Sequence, residues 1–145
     1  MDIYSDNIVD LINEKYMKLK KMHDIKWSNS SDLSISNSEG LMISLIQKKE
    51  STVSEIAQQT QISRQAAHKN IKALVAKNLI QANAAVDNSR KKILKLTPQG
   101  EECFLKNKLI KEEIEKDIIT GLNEDDISQL KEILKKMNWN CNEWF

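Results

Sequence analysis

A mostly α-helical chain carrying one small β-hairpin is the fold class that this sequence predicts. Three observations predict it. Only one proline and three glycines occur in 145 residues, so the chain has few obligatory breaks. Apolar residues recur at helical spacing through both ends of the chain, each run preceded by a residue suited to capping. Between residues 79 and 97 the pattern changes to short alternating segments around a polar tip, which suits a hairpin. Apolar residues make up 40% and charged residues 30%, so the expectation is one globular domain over 1–145 with a core of its own.

The elements follow in order. From about Asp6 to His23, Ile8, Leu11, Ile12, Leu19 and Met22 fall on one helical stripe. His23 then reads as a favourable charge at that helix's C-terminus. The Ser- and Asp-rich run from Trp27 to Ile35 reads as a loop. Ser36-Asn37-Ser38-Glu39 has capping-box spacing and opens a short buried helix with Leu41, Met42, Leu45 and Ile46. Thr52-Val53-Ser54-Glu55 repeats that spacing ahead of Ile56 and Ala57. Ile62 plugs a turn, and Ser63 caps a further helix from about Arg64 to Lys77.

After Leu79-Ile80 comes the hairpin, with Asp87-Asn88-Ser89-Arg90 at its tip. Thr97 then caps, and Pro98 starts, a long helix to about Thr120. Leu105, Leu109, Ile110, Ile114 and Ile118 form its stripe, and Gly121 suits its C-cap. Asn123 caps a last helix with Ile127, Leu130, Ile133, Leu134 and Met137 on one face. Two short helices across a tight turn, followed by a basic hairpin, are the outline of a winged helix-turn-helix, whose second helix enters the DNA major groove.

Charge is distributed to match. The chain carries a net +1, yet residues 48–97 hold ten basic side chains against three acidic ones, +7, which leaves −6 for the rest. That polarity predicts one surface for phosphates and another that avoids them. No apolar run is long enough to cross a bilayer and the N-terminus is not a signal peptide. Cys103 and Cys141 have no framework spacing, so a reduced, cytoplasmic protein is expected. His23 and His68 are the only histidines, and neither pairs with a cysteine at zinc-ligand spacing. No phosphate-cradling glycine loop and no nucleophile elbow occurs. The expectation is therefore a protein that is not an enzyme, needs no cofactor or metal and does not engage a membrane.

The segment Ile62-Ser63-Arg64 through Leu74-Val75-Ala76-Lys77-Asn78-Leu79-Ile80, followed by Leu96-Thr97-Pro98-Gln99-Gly100, resembles the MarR family of bacterial transcription regulators. Two positions depart from the family's pattern. Asn78 stands where Gly is usual, and Asn also tolerates the left-handed turn. In the wing, Arg90 holds the usual Arg place, while Asn88 holds the place of an Asp. The resemblance implies a homodimeric winged-helix repressor on a pseudo-palindromic site in double-stranded DNA. It further implies release by a small, often aromatic effector bound between the dimerisation helices and the DNA-binding lobe, near Trp27. Residues 37–100 would then be the DNA-binding lobe, and 1–26 and 101–145 the dimerisation helices.

The candidate DNA-binding residues are Ser63, Arg64, Gln65, His68, Lys69, Lys72, Arg90, Lys91 and Lys92. Arg64 and Gln65 sit in the first turn of the second helix, where Arg can pair with guanine and Gln with adenine. Ser63 and the first-turn amides can hold a phosphate. Lys69 and Lys72 suit backbone contacts. Ala67, Ile71, Leu74 and Val75 would pack inward. Arg90 suits a narrow minor groove, with Lys91 and Lys92 on flanking phosphates. Two recognition helices must lie about 34 Å apart to read successive turns. A dimer through the apolar stripes at both ends, with the aromatic tail Trp139, Trp144 and Phe145, would supply that spacing. Cys103 follows Glu101-Glu102 and reads as a small buried hydrophobe, not a redox centre. The competing class is a winged-helix protein-interaction module, or a DNA-binding regulator without an effector.

Overall fold

A computed structural model describes residues 6–30, 33–85 and 91–139. Within them the chain forms α1 (Ile8–Ser30), α2 (Asn37–Lys48), α3 (Val53–Thr60), α4 (Arg64–Ala76), β1 (Ile80–Ala84), β2 (Lys92–Leu96), α5 (Pro98–Ile118) and α6 (Glu124–Lys136). β1 and β2 pair antiparallel, with Ile80 opposite Leu96 and Ala84 opposite Lys92. Ser51 adds a single bridge to Leu94, whose amide donates to the Ser51 carbonyl at 2.8 Å. That bridge seats the root of the hairpin on the start of α3.

Capping residues set the helix boundaries. The Ser36 hydroxyl accepts the Glu39 amide at 3.1 Å, and the Glu39 carboxylate accepts the Ser36 amide at 3.0 Å, a complete capping box. Asn123 and Asp126 make the same reciprocal pair at α6. Thr97 caps α5, with Pro98 in the first turn. Thr52 accepts the Glu55 amide as expected. The Glu55 carboxylate, however, accepts a hydrogen bond from the Thr52 hydroxyl at 3.2 Å instead of from the Thr52 amide. Gly121 adopts φ +91° just beyond α5, whose C-cap falls on Ile119.

The core joins α1 to α2, α3, α4, the hairpin and α5. Trp27, Ile35, Met42, Ile43, Ile56, Leu74, Leu79 and Leu94 are fully buried, with Cys103, Ile110 and Ile114 closing it from α5. Trp27 is not in a loop, contrary to the sequence pattern: α1 continues to Ser30, because Trp27 buries its ring in the core while its indole N–H finds a partner on α5. His23 is consequently not a C-terminal charge but a buried side chain within the helix. On α2 the buried position is Ile43, while Leu41 is exposed; the helix turns its 42–43–46 side inward. On α4, Val75 is exposed, and Ala67, Ile71 and Leu74 suffice to seat the helix.

The terminal helices leave much apolar surface uncovered. Ile8, Val9 and Leu11 on α1, and Leu105, Leu109 and Ile118 on α5, are exposed. α6 buries no residue, although Leu130, Ile133 and Leu134 share one side of it. Its visible ties are an ion pair, Lys131 to Glu115 at 3.2 Å, and Trp139, whose indole N–H donates to the Leu134 carbonyl at 2.8 Å. Among the described residues, no helix is long and apolar enough to cross a membrane.

Candidate nucleic-acid interface

The interface is built on α3, its turn and α4. α3 ends because Gln61 adopts the left-handed conformation, φ 56°, and its amide returns to Ala57 and Gln58. A non-glycine residue there costs about 1 kcal/mol, offset by half-buried Ile62, whose amide bonds to the Ala57 carbonyl and whose side chain packs on the core. Ser63 restarts the chain as an N-cap, its hydroxyl accepting the Ala66 amide at 3.1 Å.

α4 then has two unlike sides. Ala67, Ile71 and Leu74 are buried against the core. Arg64, Gln65, His68, Lys69 and Lys72 are all exposed, and Ala66 is half-buried. Ser63 is exposed at the same end of the helix, so the expected reading residues lie together on one face. Lys91 and Lys92 are exposed at the start of the returning strand. Arg90, Asp87 and Asn88 lie outside the described residues, as do Cys141, Trp144 and Phe145.

The ten cations of residues 48–97 are not equivalent, a distinction that composition could not make. Lys77 is committed: its ammonium lies 2.8 Å from the Glu39 carboxylate and 2.8 Å from the Ser34 carbonyl. It ties the end of α4 to the start of α2. Lys95 pairs with Glu50 at 3.5 Å, and Lys49 approaches Glu55 at 3.9 Å. Arg64, Lys69, Lys72, Lys91 and Lys92 form no ion pair among the described residues, so their charge faces solvent unneutralised. An exposed cation without an internal partner loses little by meeting a phosphate and releases a counterion in doing so.

Asn78 holds the exit of α4 at φ 60°. Its side-chain amide donates to the Gln99 side-chain oxygen Oε1 at 2.9 Å, and its backbone carbonyl accepts the Thr97 hydroxyl at 2.7 Å. The Leu-Thr-x-x-Gly segment therefore latches the end of α4 to the start of α5.

Sequence reasoning missed the polar junction below this face. Asn107 on α5 is buried, and its Oδ1 lies 2.7 Å from His23 Nε2 and accepts the Trp27 indole N–H at 3.1 Å. His23 and Trp27 are one turn apart on α1, and the spacing was the available signal. His23 Nδ1 is buried without a hydrogen-bond partner; the Asp24 carboxylate, at 3.9 Å, is too far to supply one. His23 also borders a cavity of about 240 Å³ with Tyr16, Leu19, Asn37, Lys111, Ile114, Glu115 and Ile118. Cys103 lies deep in the core, where burial pushes its thiol up to about 11 and nearby Glu39 adds to the shift. Among the described residues, no group of three or more His, Cys, Asp or Glu could hold a metal ion.

Comparison with known proteins agrees with this geometry. Residues 33–91 match the sequence profile described as the MarR family. The HTH-type transcriptional regulator TcaR of Staphylococcus aureus is 26% identical over 129 residues, covering 87% of this chain and 82% of TcaR. The fold is similar to that of S. aureus MepR in complex with DNA, with a TM-score of 0.80, 23% identity and coverage of 92% of this chain and 97% of that one. It is also similar to Bordetella bronchiseptica BpsR, whose DNA binding is regulated by 6-hydroxynicotinic acid. There the TM-score is 0.80, the identity 17%, and the coverage 97% and 99%. The two structural likenesses establish the winged-helix fold.

Proposed function

From the match of residues 33–91 to the MarR family profile we propose that the chain is a MarR-type regulator, a homodimeric repressor that binds a pseudo-palindromic site in double-stranded DNA through α4 and the hairpin. The observation that carries this reading is the outer face of α4, where Arg64, Gln65, His68, Lys69 and Lys72 stand exposed with unpaired cations. The assignment of roles is that Arg64 and Gln65 read base edges while Ser63, Lys69, Lys72, Lys91 and Lys92 hold phosphates. Arg90 is assigned to the minor groove on its place in the sequence alone.

The dimer rests on α6. A 13-residue helix with an apolar side and no buried residue is not stable in water by itself. A second copy covering Leu130, Ile133 and Leu134, together with Leu105 and Leu109 of α5, would supply the missing burial.

A small aromatic effector fits the cavity beside His23. Its walls are mostly apolar, and it lies where the terminal helices meet α2. BpsR, which 6-hydroxynicotinic acid regulates, is a precedent in the same fold.

Selection of duplexes from a random pool, followed by titration at several salt concentrations, tests the function. A regulator enriches a two-fold symmetric site and loses affinity steeply as salt rises. Binding that is equal for all duplexes, or absent, favours the protein-interaction module instead. Release of the enriched duplex by phenolic or aromatic acids separates an effector-gated regulator from an ungated one.

A further inference from the structure

We infer that Asn107 is a positioning residue: its buried amide pins α1, α2 and α5 in one register and, on the dimeric DNA-binding reading above, so sets the half-site spacing that the protein accepts. Asn107 itself lies off the proposed DNA surface.

The amide's orientation follows from its partners. An indole Nε1 can only donate, so the atom of Asn107 facing Trp27 must be the oxygen. The same oxygen faces His23 Nε2 at 2.7 Å, so that ring nitrogen carries the proton. One oxygen therefore receives two donors that lie one turn apart on α1. On its other side the amide meets α2. A Cβ at Gly40 would stand 2.8 Å from Asn107 Nδ2 and 3.0 Å from its Oδ1. Glycine at position 40 lets α2 approach the amide directly, and α2 is the helix that carries β2 and α3.

The surrounding apolar contacts do not specify register in this way, and the ion pairs that Lys26 makes across the same two helices, with Asp117 at 3.1 Å and Glu113 at 3.5 Å, end on exposed carboxylates and contribute little. Leu19, Met22, Ile110 and Ile114 would tolerate a slide of one helix along another, since apolar packing has little direction. A slide by one turn, about 5.4 Å, would instead leave the Trp27 N–H and the His23 N–H buried and unpaired. Unpaired buried donors are costly, so a single buried amide can select one register out of several that pack equally well. Two-fold symmetry then transmits any shift to both recognition helices, and the separation between them changes accordingly.

The test compares affinities for a family of duplexes carrying the selected half-sites with one or two base pairs added to or removed from the centre. Wild type should prefer one spacing. Two variants probe the pin. The triple variant His23→Phe, Trp27→Phe, Asn107→Leu removes every polar partner together and keeps side-chain shapes close, so no donor is stranded. Gly40→Ala keeps every hydrogen-bonding group but drives a methyl against the amide. Circular dichroism and sedimentation identify the variants that fold and dimerise. In these, the preference for the wild-type spacing should fall by on the order of tenfold, the scale of one or two buried hydrogen bonds, or move to a neighbouring spacing. A purely structural role for Asn107 would lower stability while leaving the spacing profile as in wild type. That unchanged profile in a folded Gly40→Ala protein, or in a folded triple variant, overturns the inference. A wild-type protein that binds no duplex selectively overturns the function proposal first, and this inference with it.

Discussion

Leu79 and Gly100 touch through the backbone: a Cβ on residue 100 would stand 2.0 Å from the Leu79 carbonyl oxygen. That oxygen also accepts the Thr97 amide at 3.1 Å. Gly100 therefore allows the first turn of α5 to lie directly on the chain leaving α4. The Thr97 hydroxyl, which accepts the Gly100 amide and donates to the Asn78 carbonyl, closes the same joint. The end of α4 and the start of α5 are consequently held together at one joint.

Gly100→Ala should destabilise the fold by at least about 2 kcal/mol, because backbone rather than a flexible side chain blocks the added methyl. Gly121→Ala is the matched control. Nothing lies within 4 Å of its added Cβ, so only the positive φ of +91° opposes it. That should cost about 1 kcal/mol. Urea unfolding of the two variants orders them. A Gly100→Ala protein as stable as wild type would mean that the joint is not closed as described.

Asn78 stands at φ 60° and also bonds to Gln99. Asn78→Gly should be within about 1 kcal/mol of wild type, since glycine adopts this conformation freely but loses the side-chain bond. Asn78→Ala loses the bond and strains the turn, and should be the less stable by about 1 kcal/mol. Thermal unfolding of the pair provides the comparison, and alanine equal to glycine would contradict the left-handed assignment.

Cys103 should resist alkylation in the native protein. Its thiol is pushed up to about 11, so the reactive thiolate is scarcer at pH 8 than in a free cysteine of ordinary value 9.0. The sign for stability follows. The folded state holds this proton more tightly than the unfolded chain, so its contribution is intact below about pH 9 and declines as pH rises toward 11. Peptide mapping after iodoacetamide treatment at pH 8 should find residue 103 modified only when denaturant is present. Rapid labelling of native Cys103 would contradict its burial.

Capping residues and the helix-turn-helix were legible because their determinants are local. Ser36, Thr52, Ser63, Thr97 and Asn123 each start a helix at the residue that their spacing predicts. The extent of α1 was not legible. Ser28, Asn29 and Ser30 read as loop, and only tertiary burial of Trp27 carries the helix past them. Nor could His23 be distinguished from a surface charge, since its partner lies 84 residues away on another helix. On α4, residue types and helical phase located Arg64 through Lys72 on the exposed face. The commitment of Lys77 to Glu39 depends on long-range packing that composition does not encode.

The division of labour on DNA gives the sharpest contrast between variants. Gln65 lies in the first turn of α4, on the exposed side, and is the proposed reader of base edges. Gln65→Ala should alter which base is preferred at one position of each half-site, at about 1–3 kcal/mol of discrimination. Lys91 and Lys92 are exposed at the start of the returning strand without ion-pair partners among the described residues, so the contribution proposed for them is charge alone. Replacing both with Ala should weaken all sequences about equally and lower the salt slope by roughly 0.9 for each phosphate left without its cation. The fold should survive either change, since none of these side chains is buried. Titration of a small panel of single-base variants at two salt concentrations separates the effects. If the lysine pair changed base preference while Gln65→Ala left it intact, the reading residues would belong to the hairpin and the anchoring residues to α4.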